Sequence, residues 1–239
     1  MIAFDKGINF DPVEHKYTTK DGETLISVSQ LVHLYCQPFD PDGSIIEKCA
    51  AKEGVTVEEL RKRWDGARDS ASDKGRLFHA SAEEYIKTGI VPDNEHKVSV
   101  EDFAKMDFKG KLHSETIIYN LDLKLAGTVD IIEELPWNEI SIFDFKTNKN
   151  LRKFAFNKQT MLPPLDKIPD SLFHHYVMQL SLYAYMMDLR GYWINTLGIL
   201  YIKPKSGLIE YHSIEYLRPQ VIEMLAHYKA NCLDLKRNL

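Results

Sequence analysis

The residues best suited to chemistry are two acids and a lysine set in β-patterned sequence: Asp130 in the run Gly127-Thr-Val-Asp130, and Asp144 two residues before Lys146. Strand side chains alternate faces, so Asp144 and Lys146 share one face with Ile142, while Phe143 and Phe145 take the other. If Pro136, Trp137 and Asn138 form a three-residue hairpin loop, Leu135 pairs with Glu139, and Asp130 falls opposite Asp144. Carboxylates paired in this way have Cβ atoms roughly 4.5–5.5 Å apart. Like charges facing each other among apolar neighbours are unfavourable unless a cation lies between them. A hard divalent ion with oxygen ligands meets that need.

Further candidates lie on helix-patterned segments. Thr56 and Glu59 form a capping-box pattern, and the apolar positions Leu60, Trp64, Leu77, Phe78, Ala82 and Tyr85 recur at helical steps, so a long helix is expected from Val57 to about Ile86. His79 lies one turn after Gly75 and one turn before Glu83 on that helix. Glycine inside a helix costs ~1 kcal/mol relative to alanine, and a close approach by phosphate or metal would explain it. Glu83 reads as a solvated acid, or as support for His79. Gln179 and Tyr183, four apart, share a face of a second helix, Leu172 to Leu189, which is apolar nearly all round and therefore buried.

The remaining elements must position these. The N-terminal segment around Ile8, Phe10 and Tyr17, with a turn at Asp21-Gly22, reads as a small hairpin, and Ser27 as the N-cap of a helix through Tyr35. Short helices are expected from Ile45 to Ala51 and from Val98 to Phe108. Three strands follow in a meander, His113 to Tyr119, Lys124 to Glu133 and Glu139 to Lys146. Two more, Ile194 to Ile202 and Leu208 to Ile214, precede a C-terminal helix near Pro219. The connection from Asn148 to Asp170 has no periodicity and is longer than most. Between Lys146 and Lys158 it carries five basic residues, Lys146, Lys149, Arg152, Lys153 and Lys158, and no acid, interleaved with Phe154 and Phe156. That composition suits nucleic acid, with cations for phosphate and rings for stacked bases; the plainer reading is a solvated loop. Arg76 joins these DNA-binding candidates from the long helix.

The 239 residues are 44% hydrophobic and 27% charged, with a net charge of −5. Such a chain can bury a full core, and the charge argues against a blanket polyanion-binding surface. We read 1–239 as one α/β (α+β) domain: an N-terminal elaboration over 1–55, a core over 56–217 and a C-terminal helix over 218–239. The opening MIAFDKGINF is not a basic region followed by an apolar run, and no stretch approaches the ~18 apolar residues that span a bilayer. An intracellular, cytoplasmic protein with no membrane partner is expected. Cys36, Cys49 and Cys232 are far apart and read as reduced thiols without a shared role.

The ordered set His79, Glu115, Gly127-x-x-Asp130, Asp144-x-Lys146-Thr147 and Gln179-x-x-x-Tyr183 resembles the RecB-type exonuclease branch of the PD-(D/E)XK nuclease superfamily. In chain order it is similar to the mitochondrial genome-maintenance exonuclease and its phage relatives. Each motif alone is common, and five in order are specific. Asp144 stands where many superfamily members have Glu, a variation common in this branch. The resemblance implies a restriction-endonuclease-like core, a central mixed sheet flanked by helices. It implies that His79, Asp130, Asp144 and the main-chain carbonyl of Phe145 bind one or two Mg2+ or Mn2+ ions, that Lys146 positions the attacking water, and that Glu115 is an accessory acid. Gln179 and Tyr183 would hold the site or the DNA backbone. It further implies DNA, as single strands or ends, as substrate, recombination or replication proteins as partners, and the host cytoplasm as location if the protein is phage-encoded. With no four-cysteine set, no iron–sulfur cluster is expected. The rival is a catalytically silent member of the fold that binds DNA or scaffolds recombination or packaging; the presence of Asp130, Asp144 and Lys146 together speaks against it.

Overall fold

A computed structural model describes residues 7–38 and 44–233, with the side chains of residues 44, 45, 68, 69, 71, 232 and 233 excepted. The Cys232 side chain and the last residues of the expected C-terminal helix therefore lie outside the described residues. The N-terminal segment makes three short strands rather than one hairpin: β1 (Ile8–Asp11), β2 (Lys16–Thr19) and β3 (Thr24–Ser27). The first turn, at residues 12–15, closes on the Asp11 carboxylate, which accepts from the Val13 and Glu14 amides. That is an Asx-type turn, which hydrophobic patterning does not register.

Ser27 caps α1 (Val28–His33) in a full capping box, its hydroxyl accepting from Gln30 N while the Gln30 side chain accepts from Ser27 N. Ser27→Ala is expected to lower stability by ~1 kcal/mol, read as a shift in the urea midpoint with an unchanged slope. α2 (Ser44–Glu53) precedes α3 (Val57–Thr88), which is capped by Thr56 and Glu59 as expected and ended by Gly89 at φ 72°. The first half of α3 holds α2 through a small cluster of Ile46, Ala50 and Leu60; its second half lays Phe78 and Ala82 on the sheet. Leu77, expected on the buried stripe, is exposed, because Phe78 and Ala82 set the packed face. α4 (Lys97–Ala104) stops four residues before the expected Phe108.

β4 (Lys111–Asn120), β5 (Leu125–Glu134) and β6 (Glu139–Lys146) form the expected meander, and the long connection leads to α5 (Leu172–Asp188). That connection is ordered by Met161, Leu165 and Ile168, which are buried in the main core. β7 (Trp193–Ile202), β8 (Ile209–Ile214) and α6 (Arg218–Tyr228) follow, and a short π-helical turn over Lys229–Leu233 ends the described residues. The fold is α+β: one mixed eight-stranded sheet, ordered β1-β2-β3-β5-β6-β7-β8 with β4 on the other edge of β5, flanked by helices. α1, α5 and α6 cover one face and α3 and α4 the other. Among the described residues no helix is long and apolar enough to cross a membrane.

The topology around β5 makes room for a site. β4 occupies one edge of β5 along its length. On the other edge β3 pairs, parallel, with Leu125 and Ala126, while β6 pairs, antiparallel, with residues Ile131 to Glu134. Gly127 to Asp130 are thus left between two neighbours, and the sheet is split there.

Candidate functional site

The split is where the acids converge. The β5–β6 ladder has the expected register, with Leu135 N donating to Glu139 O and Ile131 opposite Phe143; one further step puts Asp130 opposite Asp144. Regular pairing ends just before that step, and Phe145 N donates instead to Asp130 Oδ2 at 2.7 Å. In a strand the N–H and C=O of one residue point the same way, so the Phe145 carbonyl also faces this opening. Facial alternation along β5 skips a beat here as well. Val129 and Ile132, three apart, both pack under α5, whereas Ile131 packs under α3.

Glu115 sits opposite Asp130 on β4 and interrupts pairing between Ser114–Ile131 and Thr116–Val129. Its φ of 46° is a left-handed conformation that costs a non-glycine residue on the order of 1–3 kcal/mol. Its carboxylate Oε1 lies 3.2 Å from Nδ1 of His79, which is also 3.5 Å from Asp130 Oδ1. The donor atoms of His79, Glu115 and Asp130 all fall within 4.8 Å of one another. The structure therefore places Glu115, expected only as an accessory acid, together with His79 and Asp130 in a group that could hold a metal ion. Asp144 stands beside this group: Gln179 Nε2 donates to its Oδ1 at 3.0 Å, and Lys146 Nζ forms an ion pair with its Oδ2. Asp144 and Lys146 share a face, as alternation requires.

Asp144 and Asp130 are almost fully buried. Burial pushes the Asp144 carboxyl up to about 6, with Lys146 opposing and Asp130 reinforcing; burial likewise raises Asp130. Burial works against charging His79, but Asp130 and Glu115 outweigh it and carry the imidazole up to about 9. Burial works against the Lys146 ammonium too, and Asp144 and Asp130 again prevail, so its affinity for a proton is raised. Asp130 and Asp144 thus hold protons more tightly because they are buried, and His79 and Lys146 because carboxylates stand beside them.

Around it lies a cleft of about 860 Å³. α3 contributes Gly75, Arg76, His79, Ala80 and Glu83, the β1–β2 hairpin contributes Phe10, Pro12, His15 and Tyr17, and α5 contributes Tyr176, Gln179 and Tyr183. A Cβ on Gly75 would stand 3.2 Å from Thr147 Oγ1, so the close approach at this helical glycine is made by a hydroxyl of the chain itself. Tyr183, raised well above the usual phenol range by burial, lies across Gly127. Glu83 is engaged by Lys87 at 2.6 Å, which fits a solvated acid at the rim.

Of the DNA-binding candidates only Arg76 lines the cleft, where it forms an ion pair with Asp73. Lys149, Arg152, Lys153 and Lys158 are exposed on the connection beyond Asn148, with Phe154 at 91% and Phe156 at 73% exposure, outside the cleft wall. Sequence reasoning missed Tyr176, whose ring centroid is 4.3 Å from Lys146 Nζ and whose hydroxyl donates to Asn148 Oδ1 at 2.7 Å. The signal was present, since Tyr176, Gln179 and Tyr183 fall at helical steps of three and four. Phe10 and His15 were missed because nothing local ties that hairpin to β5.

No protein-family model and no curated protein matches the chain. Among solved structures, the crystal structure of SSO0001 aligns over 86% of this chain and 74% of that one, at 18% identity and a TM-score of 0.41. A likeness of that degree says nothing about function.

Proposed function

We propose that the chain is a divalent-metal-dependent nuclease that hydrolyses DNA phosphodiester bonds, acting as an exonuclease on single strands or ends. The observation that carries this reading is the convergence of Asp130, Glu115 and His79, beside Asp144 and Lys146, in one partly buried cluster of three carboxylates that opens to a cleft. Hard carboxylate oxygens with one imidazole fit Mg2+ or Mn2+. His79, Glu115 and Asp130 would hold the ion, with Asp144 and the Phe145 carbonyl at hand. When bound, such an ion polarises phosphate and lowers the pKa of water.

The chain's own groups do the rest. Lys146, held as an ammonium against Asp144 and the Tyr176 ring, is a donor rather than a free base. It suits the orientation of a water and the charge that develops on phosphate oxygens. Gln179 fixes the Asp144 carboxylate through Oδ1, and Arg76 stands at the cleft wall where a further phosphate would pass. The five-motif resemblance to RecB-type exonucleases supports the same reading.

The test is incubation with end-labelled single- and double-stranded DNA, and RNA, with Mg2+, Mn2+ or chelator. Cleavage of DNA that chelator abolishes is the expected result. Intact substrates under every metal condition defeat it, and DNA binding that survives chelator without cleavage would mark a silent binding module instead.

A further inference from the structure

We propose a second metal site, for a borderline cation of the Zn2+ type, formed by Cys36, Asp170 and His175. These residues come from two distant parts of the chain: Cys36 from the turn that ends α1, and Asp170 and His175 from either side of the α5 cap. Their donor atoms all lie within 4.8 Å of one another. Cys36 Sγ is 3.3 Å from His175 Nε2, and the same Nε2 is 2.5 Å from Asp170 Oδ1. His33, one turn before Cys36, is exposed and presents its ring 6.3 Å from that of His175.

The geometry separates this group from the other things a cysteine, histidine and aspartate can be. A nucleophilic triad uses both imidazole nitrogens, one for the thiol and one for the acid. Here thiol and acid both address Nε2, so sulfur, nitrogen and oxygen converge on one point as ligands of a single ion do. The thiol is half-buried rather than freely exposed. Nor is the acid a loose surface group. The Asp170 side chain is only 8% exposed, and its Oδ2 accepts from Gln37 N at 2.8 Å, which keeps Oδ1 turned toward the histidine. Ligands oriented by main-chain hydrogen bonds in this way are characteristic of metal sites.

The donor set also names the cation. One sulfur, one imidazole and one carboxylate suit Zn2+ and its spectroscopic substitute Co2+, whereas Mg2+ and Mn2+ take oxygen. None of the three residues lines the cleft around Asp130. Position points to the purpose. Leu162 N already donates to Tyr35 O at 2.7 Å and Gln37 Nε2 to Thr160 O at 2.7 Å, so the connection is laced to the end of α1 at the place where an ion would fasten both to α5. α5 carries Tyr176, Gln179 and Tyr183 into the cleft, and an ion at its first turn would hold that helix in place.

The purified 239-residue chain, stripped with chelator and titrated with Co2+ in excess Mg2+, tests this without reference to cleavage. Expected is a thiolate-to-cobalt charge-transfer band saturating at one equivalent per chain. The band should be lost in Cys36→Ser and in His175→Ala and kept in Cys49→Ser. Zn2+ should also raise the thermal midpoint of the native chain but not of Asp170→Asn, a near-isosteric change suited to retaining the fold. A native chain with no such band, or a band that survives Cys36→Ser, overturns the site whatever the outcome of the nuclease assay.

Discussion

Under the proposed nuclease function, replacing Lys146 by Met should lower DNA cleavage by on the order of 10²–10³, the usual cost of removing one preorganised charge donor from a reaction centre. Met keeps the unbranched stem and deletes the ammonium, which lies 4.3 Å from the centre of the Tyr176 ring. In the native chain that ammonium is paired with Asp144 Oδ2, so its removal frees an oxygen of a buried carboxylate. The variant should therefore bind Mn2+ at least as well as the native chain while failing to cleave, which separates loss of chemistry from loss of metal. Metal binding is read by calorimetry and cleavage by single-turnover kinetics. Full cleavage by a folded Lys146→Met protein would remove this residue from the mechanism.

The second large effect is expected at Gly127. A Cβ built there stands 2.6 Å from Tyr183 Cε1, 3.0 Å from Tyr183 Oη and 3.2 Å from Val28 Cγ2. Tyr183 is buried and cannot swing aside. Gly127→Ala must then push α5 or α1 off β5, and overpacking of this kind costs ~1–3 kcal/mol. The damage reaches the site, because Gly127 to Asp130 are the residues of β5 that neither β3 nor β6 braces. Cleavage should fall with stability, and the double change Gly127→Ala with Tyr183→Leu should recover part of both. Chemical denaturation of the four proteins in that cycle measures the coupling. Independent, additive losses would show that the glycine is not there for the tyrosine.

These two positions mark how far the site can be read from the chain alone. Alternation put Asp144 and Lys146 on one face, and a three-residue loop set the register of β5 against β6; both hold because strand period and hairpin register are set by residues close in sequence, but regular pairing stops at Ile131 and Phe143, one step short of Asp130 and Asp144. The caps at Ser27 and Thr56 were legible for the same reason. The two helices bearing His79 and Gln179 were legible from apolar period, though not the stopping point of α4 or the exposure of Leu77.

Sequence by itself therefore determined the acids, the lysine, the histidine and the elements that carry them. Tertiary structure decided what each one touches. The parallel pairing of β3 with the start of β5, between segments distant in the chain, splits the sheet at Gly127 to Asp130. The left-handed backbone at Glu115 then turns that acid to His79, while Asp144 is claimed by Lys146 and Gln179. Strain of this kind and the choice of partner for a buried charge depend on atoms brought together only when the core closes, and no local pattern of residue types encodes them.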